Sequence, residues 1–271
     1  PCPEESHRRV MKLHYLLGDA GAALAAYRHC ARCLRSELNT EPSRETRELR
    51  AQIEKAAPSA PTATPRQGVP VTVLRPPRLI GREAELAAMA QARDVRLAFL
   101  LLGEAGMGKS RTLSEFAHEH PGVVVIQARP GDAGVPYATL ARLLRTAMAG
   151  KPPELPEGSR GQLARVLPEL LPATATPLDG QRVQLQRAVE AVLVHVQRDG
   201  VRGIVLDDLH FADEASVDML RGIVGGEREI DLRWGFAQRT GEPTVATQAL
   251  RDTLEEAFGL NTMALAPLDV V

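Results

Sequence analysis

Cysteine is scarce in this chain of 271 residues, which contains only Cys2, Cys30 and Cys33. An odd and sparse set of thiols is poor material for the disulfide framework that stabilises small secreted domains. Residues 1–10 carry charge and lack the apolar core that a secretory signal needs. We therefore expect a cytoplasmic protein whose thiols are reduced.

No charge of one sign dominates, because the chain has 33 basic and 34 acidic residues and a net charge of −1. This balance excludes a global basic field that would attract nucleic acid or an anionic membrane. Long apolar runs are also missing. The longest charge-free stretch, residues 257–268, is much shorter than the roughly 18 apolar residues that span a bilayer. We expect no membrane-spanning helix, and any contact with DNA must be local.

The first part of the chain follows helical patterns. Apolar residues recur at helical spacing over residues 4–17, and Gly18 is a natural helix stop. Asp19 can cap a second helix that reaches Leu38, and Ser43 can cap a third. Antiparallel helix pairs of this kind stack in tetratricopeptide-like arrays, and one pair cannot bury both of its faces alone.

A proline-rich stretch separates these helices from the rest of the chain. Six prolines lie within residues 58–77, where they remove backbone donors and fix φ. We predict a linker at residues 58–78, a partial helical segment before it at 1–57 and a second domain after it at 79–271.

Beyond the linker, apolar strand-like runs alternate with helical patterns. Such alternation is typical of an α/β fold with a buried parallel sheet. A weaker strand, interrupted by Asp231 and Arg233, is expected within residues 230–238. The four stronger runs lie at 97–102, 123–127, 203–206 and 260–265.

Residues 103–110, with the sequence Gly-Glu-Ala-Gly-Met-Gly-Lys-Ser, match the phosphate-binding loop pattern and follow an apolar strand. The glycines let successive N–H groups point at phosphate oxygens, and the next helix adds its positive end. Lys109 is predicted to reach the β- and γ-phosphates, and Ser110 to ligate Mg²⁺. The predicted nucleotide-binding residues are Gly103, Glu104, Ala105, Gly106, Met107, Gly108, Lys109, Ser110 and Arg111.

A second acidic motif follows the apolar run at residues 203–206, which ends in Asp207 and Asp208 as a Walker B strand does. A buried strand would deliver Asp207 to the sheet edge beside the phosphate loop, where it can hold Mg²⁺ through water. Asp208 can polarise the attacking water as a general base. Many α/β strands end in acidic residues, so this motif alone does not indicate a metal site. Its combination with Lys109 and Ser110 is what supports the Walker B interpretation.

These motifs together resemble the signal-transduction ATPases with numerous domains, which are P-loop ATPases of the AAA type. The resemblance rests on Leu79-Ile80-Gly81-Arg82-Glu83, the phosphate loop and the segment Asp207 to Asp213, and it covers residues 79–269. It implies an ATPase that binds ATP and Mg²⁺.

The same resemblance implies roles for individual residues. Gly81 and Arg82 would lie near the adenine, and Arg239, after the fourth strand, would sense the γ-phosphate as a third catalytic residue beside Lys109 and Asp208.

Residues 4–56 resemble the bacterial transcriptional activator domain. The matching positions include Leu16-Leu17-Gly18-Asp19, Ala23-Leu24, Tyr27 and Glu41-Pro42-Ser43. In antibiotic-pathway activators of actinobacteria, a winged-helix DNA-binding domain precedes this helical domain and an ATPase follows it. The resemblance implies that this chain corresponds to the middle of that architecture and lacks the ATPase lid. It also implies that DNA is bound only through a domain outside this chain.

Two minor features allow alternative interpretations. Cys30 and Cys33 could suggest a metal site, although their place inside a helix favours buried apolar packing. His210 and Asp213 could contact the nucleotide or the attacking water, although Asp213 can equally cap the helix that begins near Glu214.

The sequence therefore predicts a regulatory switch in which ATP and Mg²⁺ bias the arrangement of helical domains, with slow hydrolysis as the reset. The helical segment is expected to contact protein partners, and the chain to self-associate in a nucleotide-dependent way. The alternative is an ATPase-derived scaffold that does not hydrolyse nucleotide. A metabolic phosphotransferase would need a substrate pocket that the sequence does not reveal.

Overall fold

The computed structural model describes residues 4–37, 40–56, 79–149, 153–170, 182–226 and 230–267, so the predicted linker lies outside the described residues. The described part contains ten α-helices and five β-strands. In chain order they are α1 (Glu4–Leu16), α2 (Ala20–Glu37), α3 (Arg44–Ala56), α4 (Glu83–Asp94), β1 (Ala98–Leu102), α5 (Lys109–Glu119), β2 (Val123–Gln127), α6 (Ala138–Met148), α7 (Glu157–Leu163), α8 (Arg182–Arg198), β3 (Gly203–Asp207), α9 (Glu214–Val224), β4 (Arg233–Gln238), α10 (Val245–Phe258) and β5 (Leu260–Ala264).

The five strands form one parallel sheet in the order β2-β3-β4-β1-β5. The predicted α/β fold with a parallel sheet is therefore confirmed. The strand that was weakest in the sequence pattern, β4, lies between β3 and β1. Its Gly235 leaves room for the Phe99 ring of β1, because an added Cβ would lie 2.2 Å from that ring.

Helices cover both faces of the sheet, which explains why the central strands are apolar on both sides. On one face, Phe99 and Leu101 of β1 pack with Phe116 of α5 and Met89 of α4. The alternate residues of the strands face a larger cluster that α6, α8, α9 and α10 complete. Since all strands are parallel, their carboxyl ends meet at one edge, where ligands bind in such folds.

The three N-terminal helices pack onto this domain. Met11 of α1 and Ile53 of α3 are fully buried and belong to the same apolar cluster as the sheet. Tyr15 donates a hydrogen bond to Asp132 of the core, and Arg145 of α6 donates to the carbonyl oxygen of Leu16. The helical segment and the α/β domain thus share one continuous core.

Helix α1 does not bury all of the apolar residues whose spacing predicted it. Val10, Leu13 and Leu17 remain 39%, 40% and 46% exposed, because α1 turns Met11 and Tyr15 towards the core instead. One apolar face of the helical segment is therefore open to solvent, as expected for a unit that cannot bury both faces alone.

The predicted helix caps are present. Asp19 Oδ1 accepts a hydrogen bond from the backbone of Ala22 at 2.8 Å at the start of α2. Ser43 Oγ accepts from the backbone of Thr46 at 3.4 Å at the start of α3. Short polar side chains at these positions satisfy N–H groups that lack a partner within the helix.

Asp213 caps α9 and also connects it to α6. Its carboxylate, 2% exposed, accepts from Ser216 N at 2.9 Å, Ser216 Oγ at 2.7 Å, Tyr137 N at 2.6 Å and Thr139 N at 3.0 Å. Burial raises the pKa of Asp213, although these hydrogen bonds oppose the rise. Of the two interpretations of Asp213, the structure supports the cap.

We expect Asp213→Ala to lower the free energy of unfolding by about 3 to 5 kcal/mol, because it leaves several buried donors without an acceptor. Urea denaturation followed by circular dichroism measures this loss. The matched control is Asp252→Ala on the exposed side of α10, which should change stability by less than about 0.5 kcal/mol. Equal effects of the two substitutions would contradict the structural role of Asp213.

Candidate functional site

The loop of residues 103–110 connects β1 to α5 at the carboxyl edge of the sheet. Gly106 and Gly108 have φ values of 82° and 89°, a region that favours glycine. Gly103 lies against Leu265, where an added Cβ would come within 3.2 Å of the leucine Cβ. The backbone shape and the packing therefore explain the three glycines of the motif.

Lys109 is the first residue of α5 and is only 6% exposed. Its Nζ donates hydrogen bonds to the carbonyl oxygens of Gly103 at 2.7 Å and Glu104 at 3.0 Å. An ammonium group has three donors, so one more is available for a phosphate oxygen. The side chain is thus positioned inside the loop, at the positive end of α5.

The two residues predicted to ligate metal lie together. Asp207 ends β3 and is 2% exposed, and the Ser110 side chain hydrogen-bonds to it. Burial raises the pKa of Asp207, while the Ser110 hydrogen bond and the Lys109 charge oppose the rise. A divalent cation would stabilise the charged form of such a carboxylate.

The donor set fits Mg²⁺ bound together with a nucleotide. Among the described residues, no group of three or more His, Cys, Asp or Glu side chains forms a metal cluster. Ser110 and Asp207 alone cannot complete an octahedral shell, so phosphate and water oxygens would have to supply the remaining ligands. Such sharing is how Mg²⁺ is usually held at phosphate sites.

Asp208 has a left-handed backbone conformation, with a φ of 54°. Its Oδ2 accepts a hydrogen bond at 2.9 Å from Nε2 of Gln127, the last residue of β2. In the sheet order, β2 lies on one side of β3, whereas β4 and the loop-bearing β1 lie on the other. The carboxylate of Asp208 is therefore bonded on the side away from the phosphate loop.

Arg82 is buried just before α4 and connects three segments. Its guanidinium donates to Glu85 Oε1 at 3.0 Å, to the carbonyl oxygen of Met107 at 3.2 Å and to that of Ala266 at 2.7 Å. Neighbouring Gly81 has a φ of 75°. Arg82 thus contacts the phosphate loop directly, whereas the adenine contacts of Gly81 and Arg82 stay a prediction.

A family model described as the AAA ATPase domain matches residues 78–233, which is more than half of the chain. The chain belongs to the AAA ATPase domain family. A second model, described as the bacterial transcriptional activator domain, matches residues 1–54. Comparison with curated proteins gives no match. The two family matches confirm the predicted pairing and support a regulatory ATPase that binds nucleotide.

The AAA ATPase sheet extends beyond the matched range, because β4 ends at Gln238 and β5 follows. Gln238 was missed by the sequence analysis. It is 2% exposed, its Oε1 has no hydrogen-bond partner among the described residues, and it pairs in register with Leu102 next to the loop. The available signal was a polar residue directly after the apolar run 234–237 of a central strand.

Arg239 follows Gln238 at the same edge of the AAA ATPase sheet. Its guanidinium carbon lies 5.4 Å from the centroid of the Phe211 ring, and Nη1 is 3.8 Å from Glu242 Oε1. Both ring nitrogens of His210 are buried without a partner in the described part of the chain, and the ring packs against Phe211 at a tilt of 47°. Burial lowers the pKa of His210. Direct contact of either residue with nucleotide stays a prediction.

The two cysteines belong to the helical segment and not to this edge of the sheet. Cys30 is buried and Cys33 half-buried within α2, so both cysteines lie inside the helix as predicted. Arg111 is half-buried in the first turn of α5, directly after the phosphate loop, and its contact with nucleotide stays a prediction. None of the helices in the described ranges is both long and apolar enough to cross a membrane.

We expect Arg82→Ala to weaken ATP binding about tenfold, because the Met107 carbonyl and the segment after β5 lose a charged donor that fixes the loop. Calorimetric titration of ATP with Mg²⁺ measures the change. Arg93→Ala, which removes a partly exposed arginine from the end of α4, should leave the affinity unchanged. Wild-type affinity in Arg82→Ala would show that the loop keeps its shape without this contact.

Proposed function

We propose that this chain is an ATP-binding switch of a transcriptional regulator, which hydrolyses ATP slowly and changes the arrangement of its helical segment with nucleotide state. One observation carries the proposal. The folded chain places Lys109 inside the glycine loop and hydrogen-bonds Ser110 to the buried Asp207. Lys109 and Ser110 begin α5 and Asp207 ends β3, and the three form the cation, hydroxyl and carboxylate set that phosphoryl-transfer sites use.

In this proposal the loop N–H groups and Lys109 bind the phosphates of ATP and neutralise their charge. Ser110 and Asp207 would hold Mg²⁺, which when bound withdraws charge from the transferring phosphoryl group. Asp208 accepts a proton from water as the water oxygen bonds to the γ-phosphorus and the bond to the ADP oxygen breaks. Gln238, the last residue of β4, and Arg239, which follows it, would contact the γ-phosphate.

Slow turnover follows from the contact of Asp208 with Gln127. The carboxylate must leave the β2 side before it can contact water near the phosphate loop. A regulatory protein also benefits from long-lived states, because the signal lasts only as long as the bound nucleotide favours one conformation.

The helical segment would supply the output. Its exposed apolar face, formed by Val10, Leu13 and Leu17, is suited to protein partners or to a second copy in nucleotide-dependent self-association. Contact with DNA would come from a domain outside this chain, since the balanced charge of the composition provides no global basic field.

The test is calorimetric binding of ATP with and without Mg²⁺, combined with phosphate release by the same purified chain. We expect Mg²⁺-dependent binding and a kcat below roughly 0.1 s⁻¹, a hundredth of the median enzyme value. GTP serves as the specificity control. Binding without any hydrolysis, or no binding of nucleotide by a folded chain, would refute the ATP switch and favour the scaffold alternative.

A further inference from the structure

A buried carboxylate lies where the helical segment meets the ATPase domain. Asp132, fully buried, accepts a hydrogen bond from the hydroxyl of Tyr15 on α1 at 2.9 Å. Its other donors come from the domain itself: Arg142 of α6 at 2.7 and 2.9 Å, Thr139 Oγ1 at 3.1 Å and the Arg129 backbone at 2.8 Å. A residue of the helical segment thus completes the shell of a core carboxylate.

Further hydrogen bonds connect this contact to Asp208, the candidate general base. Arg142 also donates from Nη1 to the carbonyl oxygen of Gln127 at 3.0 Å. The side-chain amide of Gln127 then donates to Asp208 at 2.9 Å. A series of hydrogen bonds therefore links Tyr15, Asp132, Arg142 and Gln127 to Asp208, with Arg142 bonded to the main chain of Gln127 and Asp208 to its side chain.

The chemistry of Tyr15 suits a lasting contact. Burial and the Asp132 charge raise the pKa of Tyr15, so its hydroxyl stays a donor at neutral pH. Because Asp132 is inaccessible to water, a lost donor cannot be replaced at low cost, and the Arg142 guanidinium must readjust. The packed helical segment thereby acts on the position of Arg142.

We propose that Tyr15 is a positioning residue by which the docked helical segment restrains ATP hydrolysis, keeping Asp208 hydrogen-bonded to Gln127. This inference rests on the proposed ATPase function. Its direction follows from the sheet order, since the Gln127 contact lies on the side of β3 away from the phosphate loop. Movement of α1 relaxes Arg142 and the end of β2, and Asp208 is released towards the bound nucleotide.

The experiment measures steady-state phosphate release by the full chain and its Tyr15→Phe variant, which keeps the ring and removes the hydroxyl. We expect kcat to rise about three- to tenfold with an unchanged KM for ATP, because the loop and Lys109 are not altered. The control is Tyr27→Phe, in which the altered ring lies beside Arg50 of α3 and outside the series. It should behave as wild type.

Gln127→Ala, at an exposed strand end, provides a second variant that is not expected to disturb folding. It should raise kcat at least as much as Tyr15→Phe, and adding Tyr15→Phe to it should bring no further increase. An unchanged or lower kcat in Tyr15→Phe, or full additivity of the two changes, would overturn the inference while leaving the ATPase function intact. Absence of turnover in the wild type would instead refute the ATPase function itself.

Discussion

Lys109→Ala is expected to weaken ATP binding by at least about a hundredfold. The ammonium would contribute its charge and a charge-assisted hydrogen bond from its remaining donor to the phosphates, and such a bond contributes roughly 1.5 to 3 kcal/mol. The group is 6% exposed and lies within the loop, so no solvent cation takes its place at equal distance. Calorimetric titration with ATP and Mg²⁺ measures the loss.

The control for this substitution is Lys55→Ala, which removes an exposed lysine near the end of α3. It should leave ATP affinity unchanged. Since Lys109 also donates to Gly103 and Glu104, circular dichroism and a melting curve must show that the variant remains folded. A folded Lys109→Ala chain that binds ATP as tightly as wild type would refute the predicted phosphate contact.

Asp208→Asn is expected to bind ATP normally but to release phosphate about a hundred- to a thousandfold more slowly. An amide has nearly the size of the carboxylate and can still accept a hydrogen bond from Gln127, yet it cannot accept a proton from water. The proposed Mg²⁺ ligands Ser110 and Asp207 are unaltered. The effect should therefore appear in kcat and leave the affinity for ATP with Mg²⁺ unchanged.

Asp199→Asn, an exposed carboxylate after α8, is the matched control and should keep wild-type turnover. Single-turnover phosphate release separates a defect in chemistry from slow product release. If Asp208→Asn retains more than half of the wild-type rate, another group must accept the proton, and the partly buried imidazole of His210 is the next residue to test.

The sheet was predictable wherever a strand is continuously apolar. Strands β1, β2 and β3 lie within one residue of the predicted runs, because parallel strands covered on both faces carry few polar residues. The edge strand β5 also lies within one residue of its predicted run, although it carries Asn261 and Thr262. Strand β4 was harder, since Arg233 begins it and Gly235 interrupts it. Gly235 is explained by the Phe99 ring of β1, which occupies the space that a side chain would need. The local sequence does not specify that β1 is the neighbour of β4.

The same distinction applies to the site. The loop and its lysine are contiguous, so a local pattern was sufficient to predict them. The hydrogen bond of Gln127 with Asp208 joins residues 81 positions apart, and that of Tyr15 with Asp132 joins residues 117 apart. Neither pair has a sequence signature, because each depends on which strands and helices become neighbours after folding.

Arg82 also determines how the ATPase unit can be excised or transplanted. The family match ends at residue 233, but the guanidinium that fixes the Met107 carbonyl is itself fixed by the carbonyl of Ala266. A hybrid regulator joined at the end of the match would lose β4 and β5. It would also lose the Ala266 carbonyl to which Arg82 donates. Swaps between regulators should therefore keep everything from Gly81 to past Ala266 from the same parent.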